Sequence, residues 1–256
     1  MVCSGPVKHR FFTEDLSASP VVLADREAHH ALHVLRLRAG DRVELFDGRG
    51  LRALGVISRA GRSEVEVAID RLDGPLPRPG PAIGVAFSPP KGKRLEWLLE
   101  KLTELGVAGV RPLVCERSDV TVRADRQTHQ RWQAICIGAV RQSGQCRLPA
   151  IEPSTALADL PAAAGAGLLA DADDDARPLA EVLAGCPSGP VEILIGPAGG
   201  WTSGEREMAR EKGYRPARLG HTTLRTETAA IAVVAAVLAC WDRADDDGLP
   251  HPTCLP

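Results

Sequence analysis

Aromatic residues make up only 4% of this chain, so its core must be built from Leu, Val, Ile and Ala rather than from packed rings. The seven cysteines (Cys3, Cys115, Cys136, Cys146, Cys186, Cys240 and Cys254) include no C-x-x-C pair, and no histidine cluster stands at metal spacing. A disulfide framework and a metal site are therefore not expected, and the thiols read as reduced ones in a cytoplasmic protein. The first ten residues are polar and basic with no apolar h-region, so no secretory signal is expected. Ala229 to Trp241 is apolar but too short to cross a bilayer, and it reads as a buried core helix. Two nucleotide-binding signatures are also missing: the G-x-G-x-x-G fingerprint and the Gly-Lys-Ser/Thr of a phosphate loop. A net charge of -2 excludes a uniformly basic nucleic-acid binder.

Charge is nevertheless segregated. From Phe87 to Arg147 eleven basic residues face six acidic ones, while acids gather in the runs at 173–175 and 245–247. That separation suits a polyanionic partner, although a solvated surface would carry it equally well. The 256 residues allow one large domain or two small ones.

The hydrophobic period changes once along the chain. From Phe11 to Leu72 short β-like runs alternate with turns, and Val43 to Phe46 leads into the hairpin signal Asp47-Gly48-Arg49-Gly50. One short helix over Glu27–Leu35 interrupts them. Residues 1–73 thus read as a small β-barrel. Residues 74–81, with four prolines in eight positions, read as a linker. Beyond it, strands at Ile83–Phe87, Val110–Val114, Leu168–Ala170 and Val191–Ile195 alternate with helices at Arg94–Leu105, Gln127–Ser143 and Thr202–Lys212. The last begins with a capping box, Thr202 with Glu205. This alternation predicts an α/β domain over 82–245 with a mostly parallel sheet. Ala162–Gly167 and residues 246–256 read as low-complexity, mobile stretches.

Two late segments carry chemistry. The apolar strand Val191–Ile195 runs into Gly196-Pro197-Ala198-Gly199-Gly200-Trp201, where glycines let backbone N–H groups approach a ligand. Leu219-Gly220 and then Leu224-Arg225-Thr226-Glu227-Thr228-Ala229 precede the apolar helix. Thr and Glu suit a first helical turn, but a cation is unfavourable at a helix N-terminus. Arg225 therefore reads as a group placed to stabilise developing negative charge.

With both segments in this order the chain resembles the SPOUT methyltransferases and, within them, the RsmE family, which methylates N3 of a uridine in 16S ribosomal RNA. The likeness also rests on His9-Arg10-Phe11-Phe12, on His33-Val34-Leu35-Arg36 with Gly40-Asp41, and on Lys91-Gly92 with Glu96-Trp97. Lys101 to Val107, Glu116-Arg117-Ser118, Arg131-Trp132 and Gln142-Ser143-Gly144 extend it. The resemblance implies a PUA-like N-terminal barrel, a SPOUT domain tied in a trefoil knot, S-adenosylmethionine as methyl donor, and a homodimer acting on the small ribosomal subunit. It implies cofactor contacts from Leu169, Gly196, Gly199, Gly200, Leu219, Leu224, Thr228 and Ala229. Arg225, Glu227 and Arg10 are the expected catalytic groups; for Glu227, anchoring the helix start is the other role open. Arg10, Arg36, Lys91, Lys93, Arg94 and Arg117 are expected at RNA. A tRNA ribose 2'-O-methyltransferase and a non-catalytic ribosome assembly factor are the competing readings.

Two positions depart from the family pattern, which usually has Glu at Ala198 and Arg at Thr222. If those residues form a buried ion pair, both were lost together, and Ala198→Glu alone should lower stability by leaving one charge unpaired.

Overall fold

The computed structural model describes residues 7, 9–78, 80–118, 125–173, 175–184 and 189–241. The expected tail at 246–256 and Pro79 of the expected linker lie outside this set. The chain divides into two units, Met1–Arg78 with Ile137–Leu148, and Pro79–Cys136 with Pro149–Pro256. The first unit thus takes in a segment from far downstream, which the contiguous partition at 74–81 does not provide.

In the first unit the elements are β1 (Arg10–Phe12), β2 (Val21–Leu23), α1 (Asp25–His29), β3 (Arg42–Phe46), β4 (Arg52–Ala60) and β5 (Val65–Asp73). They form one five-stranded sheet in the order β1-β3-β4-β5-β2, with β1 parallel to β3 and the remaining pairs antiparallel. The end strands do not pair with each other, so the expected barrel is a half-barrel. Alternation of side chains along β4 places Ala53 and Ile57 inward with Phe11, Val43, Leu45 and Val67. At the predicted hairpin, the Asp47 carboxylate accepts from the N–H groups of Arg49 (2.7 Å) and Leu51 (2.9 Å), fixing the turn. The predicted helix over Glu27–Leu35 is α1 followed by a wider π-turn at His30–Val34, where Leu35 N–H reaches His30 O at 2.9 Å.

The second unit continues with β6 (Ile83–Phe87), α2 (Lys93–Glu104), β7 (Gly109–Val114), α3 (Arg126–Ser143), β8 (Ala150–Ile151), β9 (Thr155–Ala156), β10 (Ala166–Ala170), β11 (Arg177–Pro178), α4 (Leu179–Ala184), β12 (Val191–Ile195), α5 (Ser203–Glu211), β13 (Tyr214–Arg218) and α6 (Thr226–Trp241). Helix α3 belongs to this unit as far as Cys136. The sheet is parallel throughout, in the order β11-β13-β10-β12-β6-β7-β8, with β9 also on β7. Strands buried on both faces read as continuous apolar runs. Along β12, Val191, Ile193 and Ile195 pack with Leu98, Leu99 and Leu102 of α2 and Val233, Val234 and Val237 of α6. On the other face Leu194 joins Leu169, Trp201 and Ala209 of α5. Trp132 is buried in the first of these clusters.

The expected mobile stretch at Ala162–Gly167 is tied down at both ends. Ala163 N–H donates to Lys212 O at 2.9 Å, and Ala166 and Gly167 start β10.

Candidate active site

In open parallel sheets ligands bind beyond the carboxyl ends of the strands. Here β10, β12 and β13 end at Ala170, Ile195 and Arg218, and a cavity of about 290 Å³ opens there. That is the lower end of the size range of small-molecule sites, roughly 300–1,000 Å³. Its walls are mostly apolar, from Ile195, Pro197, Trp201, Leu219, Leu224 and Ala229. Three contacts shape the loop after β12. Ser88 N–H holds Ile195 O at 2.9 Å, Thr226 Oγ1 donates to Gly196 O at 3.0 Å, and Trp201 Nε1 donates to Ala170 O at 2.9 Å. The Trp201 ring lies against Gly196 so closely that a Cβ there would stand 2.8 Å from Cε2. Only glycine lets this ring close the floor of the cavity.

At the other end of the loop the predicted capping box is present. The Glu205 carboxylate accepts from Thr202 N–H (2.9 Å), and Thr202 Oγ1 accepts from Glu205 N–H (3.2 Å). The second oxygen of Glu205, a residue only 5% exposed, accepts from Glu116 N–H at 2.9 Å. One buried carboxylate thus caps α5 and anchors the turn after β7.

Five of the eight expected cofactor residues line this cavity: Gly196, Gly200, Leu219, Leu224 and Ala229. Three do not. Leu169 points into the core beside Trp201, because side chains alternate along β10 and the cavity is reached only at Ala170 and Asp171. Thr228 lies on the exposed face of α6. Gly199 faces away from this cavity, toward Arg117.

The sequence reading missed Asp171, Arg206 and Arg218. Arg206 pairs with Asp171 through Nε (2.6 Å) and Nη2 (3.1 Å), and with Asp173 at 3.2 Å. The hydrogen bond to Asp171 raises the Arg206 pKa most; burial partly opposes it, and the charges of Asp171, Asp173 and Glu205 add to the rise. Arg218 also lines the cavity, and its buried Nε has no hydrogen-bond partner among the described residues. A mostly apolar cavity edged by a guanidinium suits a ligand with a hydrophobic part and an anionic group. The position of Asp171 directly after a strand end was the available signal.

A second cavity of about 270 Å³ shares Pro197, Ala198 and Thr226 with the first and is otherwise lined by Ser88, Pro89, Pro90, Lys91, Arg94, Arg117, Arg225 and Glu227. Four cations and the N-terminal end of α6 converge there, and both favour an anion. The expected catalytic pair, Arg225 and Glu227, meets here with Lys91, Arg94 and Arg117. Arg225 is exposed, whereas Glu227 is buried and stands 3.6 Å from Arg94 Nη1. Lys93 is exposed at the start of α2 and is not among the lining residues.

Arg10 and Arg36 belong to the first unit. All five donors of the Arg10 guanidinium are engaged there. Nε pairs with Glu44 at 2.7 Å; Nη1 meets Val140 O (2.8 Å) and Arg141 O (3.3 Å); Nη2 meets Gln145 O (2.7 Å) and Cys146 Sγ (3.5 Å). This is a structural clamp with no donor left for substrate. Arg36 is exposed at φ +56°, the left-handed residue that ends the turn after α1 while Leu37 N–H reaches back to Ala31 O.

Ala198 and Thr222 both line the first cavity, but both are exposed. An unpaired carboxylate at 198 would remain in water, so the buried-charge penalty expected for Ala198→Glu does not apply.

The chain is similar to RNA-modifying enzymes throughout. Residues 78–238 match the family model for the RNA methyltransferase domain, and residues 23–70 match that for the RNA methyltransferase PUA domain. Ribosomal RNA small subunit methyltransferase E of Mycobacterium bovis is 30% identical over 245 residues, covering 91% of this chain and 92% of the relative. Its counterpart from Synechocystis is also 30% identical, covering 88% and 75%. The crystal structure of a ribosomal RNA small subunit methyltransferase E from Neisseria gonorrhoeae, bound to S-adenosyl methionine, superimposes with a TM-score of 0.80 at 31% identity, covering 91% of this chain and 98% of that one. With a PUA-type sheet, a parallel α/β unit and paired cavities at its strand ends, this chain belongs to the RNA methyltransferase family that includes the ribosomal RNA small subunit methyltransferases E.

Proposed function

We propose that this protein transfers a methyl group from S-adenosylmethionine to N3 of a uridine in small-subunit ribosomal RNA. The observation that carries the reading is the pair of cavities divided by Pro197, Ala198 and Thr226, one mostly apolar and edged by the Arg218 guanidinium, the other ringed by cations. Ile195, Pro197, Leu219, Leu224 and Ala229 would hold the adenosine part of the donor, and Arg218 its carboxylate. Bound there, the donor supplies an electrophilic methyl group on a sulfonium and needs no metal; among the described residues no group of three or more His, Cys, Asp or Glu could hold one.

The acceptor base enters the second cavity. Uridine N3 attacks as its proton leaves, and the resulting negative charge spreads onto the flanking carbonyl oxygens. Arg225 and the first turn of α6 stabilise that charge. Glu227, fixed beside Arg94, accepts the N3 proton directly or through water. Lys91 and Arg94 meet the RNA backbone, with the exposed Lys93 near them at the start of α2, and Arg36 offers a separate exposed cation on the first unit.

Helix α6 is apolar all round yet exposes Thr228, Ala235 and Ala239. That pattern supports a homodimer. The family's trefoil knot and a cytoplasmic location belong to the same reading. No helix among the described residues is long and apolar enough to cross a membrane.

The test is transfer of labelled methyl groups to small-subunit RNA and to assembled subunits that lack the mark, followed by nucleoside mass analysis. Label in 3-methyluridine supports the assignment; label in a ribose methyl, or none with either substrate, refutes it. Arg225→Ala should abolish turnover with donor affinity within a few-fold of the parent. Loss of donor binding instead would move Arg225 to the cofactor cavity.

A further inference from the structure

We propose that Arg117 is a positioning residue that fixes the cofactor loop from the acceptor side, and that it does not act as an RNA phosphate contact. The proposal rests on the assignment of the two cavities given above. Arg117 lines the acceptor cavity and is absent from the cofactor cavity, yet its Nη1 donates to Gly199 O at 2.9 Å. The side-chain stem lies flat on Gly199. A Cβ at that glycine would come within 3.2 Å of Arg117 Cβ and 3.4 Å of Cδ. Gly199 does not lie in the left-handed region, so backbone conformation does not demand a glycine. Close approach of the arginine stem makes any larger residue a tight fit there.

The turn that carries Arg117 is itself held on three sides. Glu116 N–H is bound by the buried Glu205, and Thr202 Oγ1 donates to Glu116 Oε1 at 3.2 Å. Ser118 Oγ and the buried Ser88 Oγ are 2.6 Å apart. Ser88 follows β6 and binds Ile195 O through its backbone, at the start of the same glycine loop. The loop from Gly196 to Gly200 is therefore gripped at Ile195, at Gly196 by Thr226, and at Gly199 by Arg117. Pro197 and Ala198, the wall shared by the cavities, lie between the last two grips. Removing Arg117 frees one side of that wall. Its consequence falls on donor binding, in a cavity Arg117 never touches.

A phosphate contact and a loop latch predict different readouts. The donor affinity of each protein is measured by calorimetry without RNA, and small-subunit RNA binding is followed across salt concentrations. In Arg117→Ala the donor Kd should rise about five- to tenfold, as expected for losing one solvent-exposed hydrogen bond of ordinary net strength. The slope of log affinity against log salt should stay as in the parent. Gly199→Ala keeps the charge but displaces the stem, so it should weaken the donor similarly. Adding Gly199→Ala to Arg117→Ala should then cost nothing further, since both act on one contact. An unchanged donor Kd in Arg117→Ala, with a salt slope reduced by about one, would overturn the proposal in favour of a phosphate contact. Additive losses in the double variant would overturn it as well. Failure of the unaltered protein to bind the donor would instead overturn the cavity assignment, and this inference with it.

Discussion

Arg10 is the residue for which sequence and structure give opposite experimental forecasts, and Arg10→Ala separates them. In the first unit its side chain is 11% exposed and joins Glu44 on β3 to backbone carbonyls at Val140, Arg141 and Gln145. Its guanidinium carbon also lies 5.1 Å from the centre of the Phe46 ring. Truncation strands a largely buried carboxylate and leaves three part-buried carbonyls without their donor. Breaking a buried ion pair from one side costs about 3–5 kcal/mol, and loss of the cation–π contact adds about 0.5–1 kcal/mol. Re-entry of water beside Glu44, itself 14% exposed, returns part of this, so about 3–4 kcal/mol is the expected loss. Fluorescence would miss it, because Trp97, Trp132, Trp201 and Trp241 all lie in the second unit. Hydrogen exchange of peptides covering β1 and β3 would register it as protection lower by roughly two to three orders of magnitude. Arg10→Lys should recover only part, since an ammonium cannot reproduce the five-donor fork. Unchanged exchange in Arg10→Ala together with lost methyl transfer would refute the clamp and return Arg10 to the substrate.

Gly196→Ala should destabilise by about 1–3 kcal/mol through overpacking against Trp201; combining it with Trp201→Phe should restore part of that loss in urea unfolding, and a fully stable single variant would contradict the contact. Burial raises the Glu192 carboxyl above its ordinary value, with Arg111 partly opposing and Glu152 reinforcing the shift. The folded state then holds this proton more tightly than the unfolded one, so Glu192 removes stability as pH rises from the unfolded value through the folded one. Glu192→Gln should flatten that fall in a series of denaturation curves above pH 4.5. Among the described cysteines, Cys115, Cys136 and Cys146 are buried and only Cys240 is exposed. Burial pushes the Cys115 thiol up to about 12, so brief alkylation of the native protein at pH 8 should label Cys240 and spare Cys115, as peptide mass mapping will tell.

Local chemistry was legible from the residues. The Asp47 turn, the Thr202–Glu205 capping box and the apolar run of β12 all act over a few positions, and each stands where its pattern places it. Arg225 and Glu227 sit beside the same loop their sequence spacing suggested. The direction of the Leu169 side chain is not legible in the sequence, because β10 is buried on both faces. A continuous apolar run does not reveal which residue faces which cluster, and the cavity begins only at the strand's last residue.

Other features depended on contacts that sequence distance conceals. Helix α3 has one uninterrupted period, so nothing in it marks Ile137 as the point where it passes into the first unit. Arg10 meets Val140 across 130 positions, and Arg117 meets Gly199 across 82. A guanidinium written in a sequence is equally suited to a phosphate, a base or a backbone carbonyl. The sequence alone determined the order of strands and helices and the chemistry of the two late loops, because periodicity and capping are local. Only the tertiary structure decided which arginines face a ligand, because that depends on whether folding has already filled their donors.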